Sequence, residues 1–133
     1  MSRLTIFLAR FIGLFAILLV AVMLVRGDAI VQALVGDAPV MFVLGVVSMA
    51  AGLAMVLGHN VWSGGVLPVV VTLVGWLILA KSLLLLLLKP DALAPILDQM
   101  QYGVHPTLYL VPAAMVGLYL TWAGFTAALP RKA

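Results

Sequence analysis

Residues 58–82, GHNVWSGGVLPVVVTLVGWLILAKS, decide how the chain is read. Upstream, residues 39–58 form an uncharged apolar run that opens with Pro39; downstream, a second run over residues 67–88 opens with Pro68. Each has about 20 residues, which as a helix rising ~1.5 Å per residue covers the ~30 Å of a bilayer's hydrocarbon core. Between them lie only His59, Asn60, Val61, Trp62, Ser63, Gly64 and Gly65, a turn-forming segment too short for anything but a tight antiparallel hairpin.

The rest of the sequence agrees with a membrane reading. Hydrophobic residues make up 66% of the 133, well above the near-half share of soluble domains, so lipid must solvate much of the surface. Two further spans are expected, over residues 4–25 and 107–129, giving an all-α, integral membrane, antiparallel four-helix bundle in a single domain. The first run begins with basic residues as a signal sequence does, but Val25 and Arg26 stand where a small-x-small cleavage site would fall, so a retained helix is expected. Arg10 is expected to snorkel from its end of that span. Asp37 is placed to cap the second span, and Pro112 to kink the fourth. In the connector KPDALAPILDQMQYGVHP, Ala92, Leu93, Ile96, Leu97 and Met100 recur at roughly helical spacing; a short interfacial helix is expected there, as a lid or as a plain connector.

Basic residues orient the bundle. Arg3, Arg10, Arg131 and Lys132 share one side, Arg26 and Lys89 the other, which predicts that both termini are cytoplasmic. The excess of basic residues forms no patch interleaved with aromatics, so no nucleic-acid partner is expected. The absence of Cys excludes disulfides, thiolate metal sites and cysteine nucleophiles. There is no Glu, and no span contains an Asp, which counts against a small multidrug transporter of the kind that relies on a membrane-embedded Glu. No metalloprotease, nucleophile-elbow or phosphate-loop motif occurs. The two histidines, His59 and His105, fall on opposite sides of the predicted bilayer, too far apart for one haem iron, so no metal and no cofactor is expected.

The candidate polar site is drawn from His59, Asn60, Trp62, Thr72, Trp76 and Lys81. His59, Asn60 and Trp62 admit two readings: a pocket for a headgroup, quinone or ion, or a hydrogen-bonded hairpin anchored at the interface by Trp62. Thr72 and Ser82 are expected to bond local backbone carbonyls, and Thr72 is the nearest partner for the deep indole N–H of Trp76. Lys81 either snorkels or turns inward; five positions from Trp76, it diverges by about 140° and cannot easily share one pocket with it. Small residues mark the expected packing faces: Gly45, Ser48 and Gly52 on the second span, Gly75 and Ser82 on the third, and Ala113, Gly117 and Thr121 on the fourth.

The combination His59-Asn60-x-Trp62, Val71-Thr72-x-x-Gly75-Trp76 and Lys81 resembles a family of uncharacterised small bacterial inner-membrane proteins with four predicted spans. The resemblance is strongest over residues 52–90. It implies a bacterial inner membrane and the same topology, and brings no assigned activity.

Three functional readings follow. The favoured one is a non-enzymatic scaffold or accessory subunit that associates with itself or with a larger membrane complex through small-residue helix faces. The alternative is an oligomeric small-solute or ion transporter with a polar path at His59, Asn60, Thr72 and Lys81. An enzyme ranks last, with His59 as its one candidate general base.

Overall fold

The computed structural model describes residues 2–88 and 107–127. The described residues form four helices: α1, Arg3–Gly36; α2, Ala38–Gly58; α3, Val66–Leu87; and α4, Thr107–Thr126. Each contains a stretch long and apolar enough to cross a membrane, and in α1 that stretch is Arg3–Gly27. The expected interfacial helix, along with the last residues of the expected fourth span, lies outside the described residues.

Local chemistry sets the boundaries. The Ser2 hydroxyl accepts from the Thr5 N–H at 3.1 Å and caps the start of α1. The first helix does not stop at Val25, as its apolar run suggests, but continues to Gly36 across a break at Arg26, whose φ of −135° and ψ of 16° are non-helical. Residues 29–34, AIVQAL, contain no Gly or Pro and include Ala29, Gln32, Ala33 and Leu34, which favour helix, and the helix resumes after the break. Asp37 then ends α1 and caps α2, its Oδ1 accepting from the Val40 N–H at 3.2 Å. At the far end of α2, the His59 N–H donates to the Met55 carbonyl at 2.7 Å. The turn into α3 uses Gly64 and Gly65 at φ of +90° and +122°, a backbone region in which any other residue would be strained. Pro112 lies inside α4, which stays helical on both sides of it.

The helices pack as two antiparallel pairs, α1 with α4 and α2 with α3. Each pair closes on a seam of small residues. In the first, a Cβ built on Gly13 would lie 2.6 Å from the Thr121 backbone nitrogen, so nothing larger than glycine fits without separating the helices. In the second, a Cβ on Gly52 would lie 2.6 Å from the backbone nitrogen of Leu79. Gly45 against Leu86, Gly75 against Met55, and Gly117 against Ala16 extend the seams. Close backbone approach of this kind replaces the hydrophobic drive where lipid is the solvent. Of the residues expected on packing faces, Ser48 is half-buried and Ser82 buried, whereas Ala113 is exposed and belongs to no seam. Thr121 turns its hydroxyl to the Gly117 carbonyl at 2.8 Å, which spends its hydrogen within the helix.

The two pairs meet through a cluster of Ala9, Ile12, Leu67, Val71 and Leu120, all towards the N-terminal ends of α1 and α3 and the C-terminal end of α4. Elsewhere the helices turn large apolar side chains outward. Only 11–22% of the most apolar window of each helix is buried within the chain, so an apolar medium must cover the remainder.

Candidate functional site

Beside this cluster, side chains from two helices converge on one imidazole at the end of a third. His59 follows the last residue of α2 and is 3% exposed; Thr5 of α1 is 2% and Thr72 of α3 is 1% exposed. His59 Nε2 lies 2.9 Å from Thr5 Oγ1, and His59 Nδ1 lies 3.2 Å from Thr72 Oγ1. Thr72 Oγ1 also accepts from the Val61 N–H at 3.0 Å and donates to the Val61 carbonyl at 3.0 Å. Thr5 Oγ1 lies 2.7 Å from Ser2 Oγ.

Each ring nitrogen of His59 faces one hydroxyl, and both tautomers pair both nitrogens: Nδ1–H donates to Thr72 while Nε2 accepts from Thr5, or Nε2–H donates to Thr5 while Nδ1 accepts from Thr72. Every polar atom in the run is used. Each bond contributes about 1 kcal/mol net, while a buried member left without its partner costs about 1–3 kcal/mol, so the group acts as a unit.

A second cluster lies on the outer side of the same hairpin. Asn60 Oδ1 accepts from the Trp62 indole N–H at 2.7 Å and lies 3.5 Å from that of Trp76, at the outer limit for a hydrogen bond. Both indoles are largely exposed, Trp62 at 55% and Trp76 at 42%, and an amide between two such rings suits an interfacial anchor.

Several sequence expectations are corrected by this geometry. Thr72 is not the partner of Trp76, since its hydroxyl is taken up by His59 and Val61, and Asn60 serves the indole instead. Nor does Thr72 bond a carbonyl of its own helix, as Ser82 does with the carbonyl of Leu79 at 2.9 Å. The hairpin folds back over the start of α3 and supplies a closer acceptor. Lys81 joins neither cluster: nine positions after Thr72 it sits about 13 Å further along α3 on the opposite face, and it is exposed.

Thr5 and Ser2 are the members that sequence reasoning missed. A Ser three residues before a Thr at the start of an apolar helix is a capping signal. It marks where α1 begins; that Thr5 also reaches His59 follows from the packing of α1 against the hairpin.

Arg10 is also more than a snorkelling side chain. Its Nε–H donates to the Gly124 carbonyl at 2.8 Å, and its guanidinium carbon lies 4.8 Å from the centre of the Phe125 ring. Gly124 is in the last turn of α4, so Arg10 ties α1 to that end and places positive charge at the negative end of its dipole. At the other end of the bundle, an open recess of about 400 Å³ lies against the α1 break, lined by Met23, Val25, Arg26, Gly27 and Leu110 among others. None of the sequence-predicted site residues reaches it.

Compared with protein-family models, with curated proteins and with solved structures, the chain has no significant match.

Proposed function

We propose that the chain is a non-enzymatic, multi-pass membrane scaffold or accessory subunit. The observation that carries this reading is the use made of the buried polar side chains. Thr5, His59, Thr72 and Ser82 are the buried polar residues among those described, and all are spent on bonds between or within the helices. His59, enclosed and bonded at both nitrogens, is built as a joint and is poorly placed to abstract a proton from a substrate.

The surface for association differs from the sequence expectation. The glycine faces are consumed inside the two helix pairs, so contacts with another copy or a larger complex use the large outward side chains of the four helices. The distribution of basic residues supports cytoplasmic termini, and the hairpin's resemblance to small bacterial inner-membrane proteins supports that membrane as its setting. Transport remains the second reading because Lys81 stands exposed well inside the apolar length of α3. It requires several copies, since within one chain Lys81 and Thr72 face opposite ways.

Purification in mild detergent with native lipids retained, followed by mass analysis, tests the proposal. It predicts a self-assembled species or a stoichiometric membrane partner. A clean, partner-free monomer counts against it, and solute or ion flux in liposomes that disappears in Lys81→Met favours transport.

A further inference from the structure

We propose that Arg10 is a binding site for the phosphate of an anionic glycerophospholipid, with an acyl chain of that lipid lying along the aromatic ladder of α1. This inference rests on the helices spanning a bilayer and is independent of the scaffold reading.

The guanidinium is fixed. One bond of 2.8 Å from Nε to the Gly124 carbonyl and the Phe125 ring beneath it hold the group in place, and the residue is half-buried. Only Nε is engaged among the described residues, which leaves the hydrogens of both terminal nitrogens to donate. Two parallel donors on a rigid planar fork match two oxygens of a phosphate, and an ammonium offers no such fit.

Among the described residues no carboxylate pairs with this charge. The chain has no Glu, and its four acids are Asp28, Asp37, Asp91 and Asp98. Asp28 is 18 residues further along α1, ~27 Å at a helical rise. Asp37 stands between α1 and α2, and Asp91 and Asp98 belong to the segment joining the far ends of α3 and α4. At Arg10's own end the neighbouring charge is positive, from Arg3. A half-desolvated cation with no anionic partner among the described residues draws its counter-charge from outside, and at the end of a span the available anions are lipid phosphates. The positive surroundings favour a headgroup without an ammonium.

The second, independent observation is the surface beside it. Phe7, Phe11 and Phe15 stack in sequence with ring centres 6.1 and 6.2 Å apart and planes within 13° of parallel. All three are more than half exposed. The ladder runs about 60–140° around α1 from Arg10, with Phe7 ~4.5 Å nearer the start of the helix than Arg10 and Phe15 ~7.5 Å further along. Phe11, at about 100°, continues it as a ribbed apolar track leading along the helix from a headgroup held at Arg10.

Lipid retention measured by native mass spectrometry tests this, using full-length protein released from micelles that contain phosphatidylglycerol, phosphatidylcholine or, with a neutral detergent alone, inorganic phosphate. The expected result is one phosphatidylglycerol per chain in wild type, favoured over phosphatidylcholine and reduced at least about fivefold in Arg10→Gln. Arg26→Gln, at the other end, is expected to keep the lipid. Because Arg10→Gln also removes the bond to Gly124, wild-type protein with a photoactivatable phosphatidylglycerol gives a second measurement, which should label the stretch containing Phe7, Phe11 and Phe15. Equal retention by Arg10→Gln, or labelling confined to the far end of the bundle, overturns the proposal. Occupancy by inorganic phosphate that displaces the lipid overturns it too, assigning the site to a free anion.

Discussion

At the end of the bundle that holds His59, Thr5 and Thr72 close on one imidazole, Arg10 clasps the last turn of α4, and the two helix pairs share a packed apolar cluster. At the other end, α1 breaks at Arg26, a recess opens beside it, and Val25, Leu87 and Leu108 are each largely exposed. Both ends are made of the same apolar residue types, so hydrophobicity does not distinguish them. In lipid it cannot, because moving a leucine from lipid to a protein neighbour gains little; small residues and internal hydrogen bonds decide where helices adhere. The His59 end has both. The far end keeps the seam within the α2–α3 pair through Gly45, which closes on Leu86.

The largest expected effect comes from widening a seam. Gly52→Leu would drive a side chain into the Leu79 backbone, and Gly13→Leu would do the same at Thr121. Each should cost about 3 kcal/mol or more, read as loss of folded protein in a detergent unfolding titration. Ala113→Leu, on an exposed position, should leave the midpoint nearly unchanged, and an equal loss there would erase the distinction between seam and surface. Next in size is Thr72→Val, which removes the hydroxyl that serves His59 Nδ1 and both backbone groups of Val61. The expected loss is about 1–3 kcal/mol, with faster hydrogen exchange at the Val61 amide as the local sign. Smallest is Lys81→Met, within about 0.5 kcal/mol of wild type, as suits an exposed side chain without a partner among the described residues. A loss comparable with Thr72→Val would place Lys81 in a contact between copies.

Much of the architecture was legible in the residues. The four spans follow from apolar length, the Asp37 cap from an acid before a proline-started helix, and the small-residue faces from their spacing. Three features were not. The continuation of α1 past Arg26 was hidden because charge and glycine mark the end of an apolar run, not the end of a helix. The partner of Trp76 was misassigned because distance along a helix was taken as depth, while the hairpin folds back and brings Asn60 to the indole. Thr5 and Arg10 were missed as joints because their partners, His59 and Gly124, lie 54 and 114 residues away in the chain. Periodicity reports which face of a helix is special; it does not report which helix comes to meet it.

The central claim is that His59 joins the α1–α4 pair to the α2–α3 pair through Thr5. A double-mutant cycle tests it most directly, with unfolding free energies measured for Thr5→Val, His59→Ala and the pair. If the joint exists, Thr5→Val should cost about 1 kcal/mol in wild type and almost nothing once His59 is alanine, a coupling of about 1 kcal/mol. The same cost in both backgrounds would contradict the account, since Thr5 would then be stabilising the protein without His59.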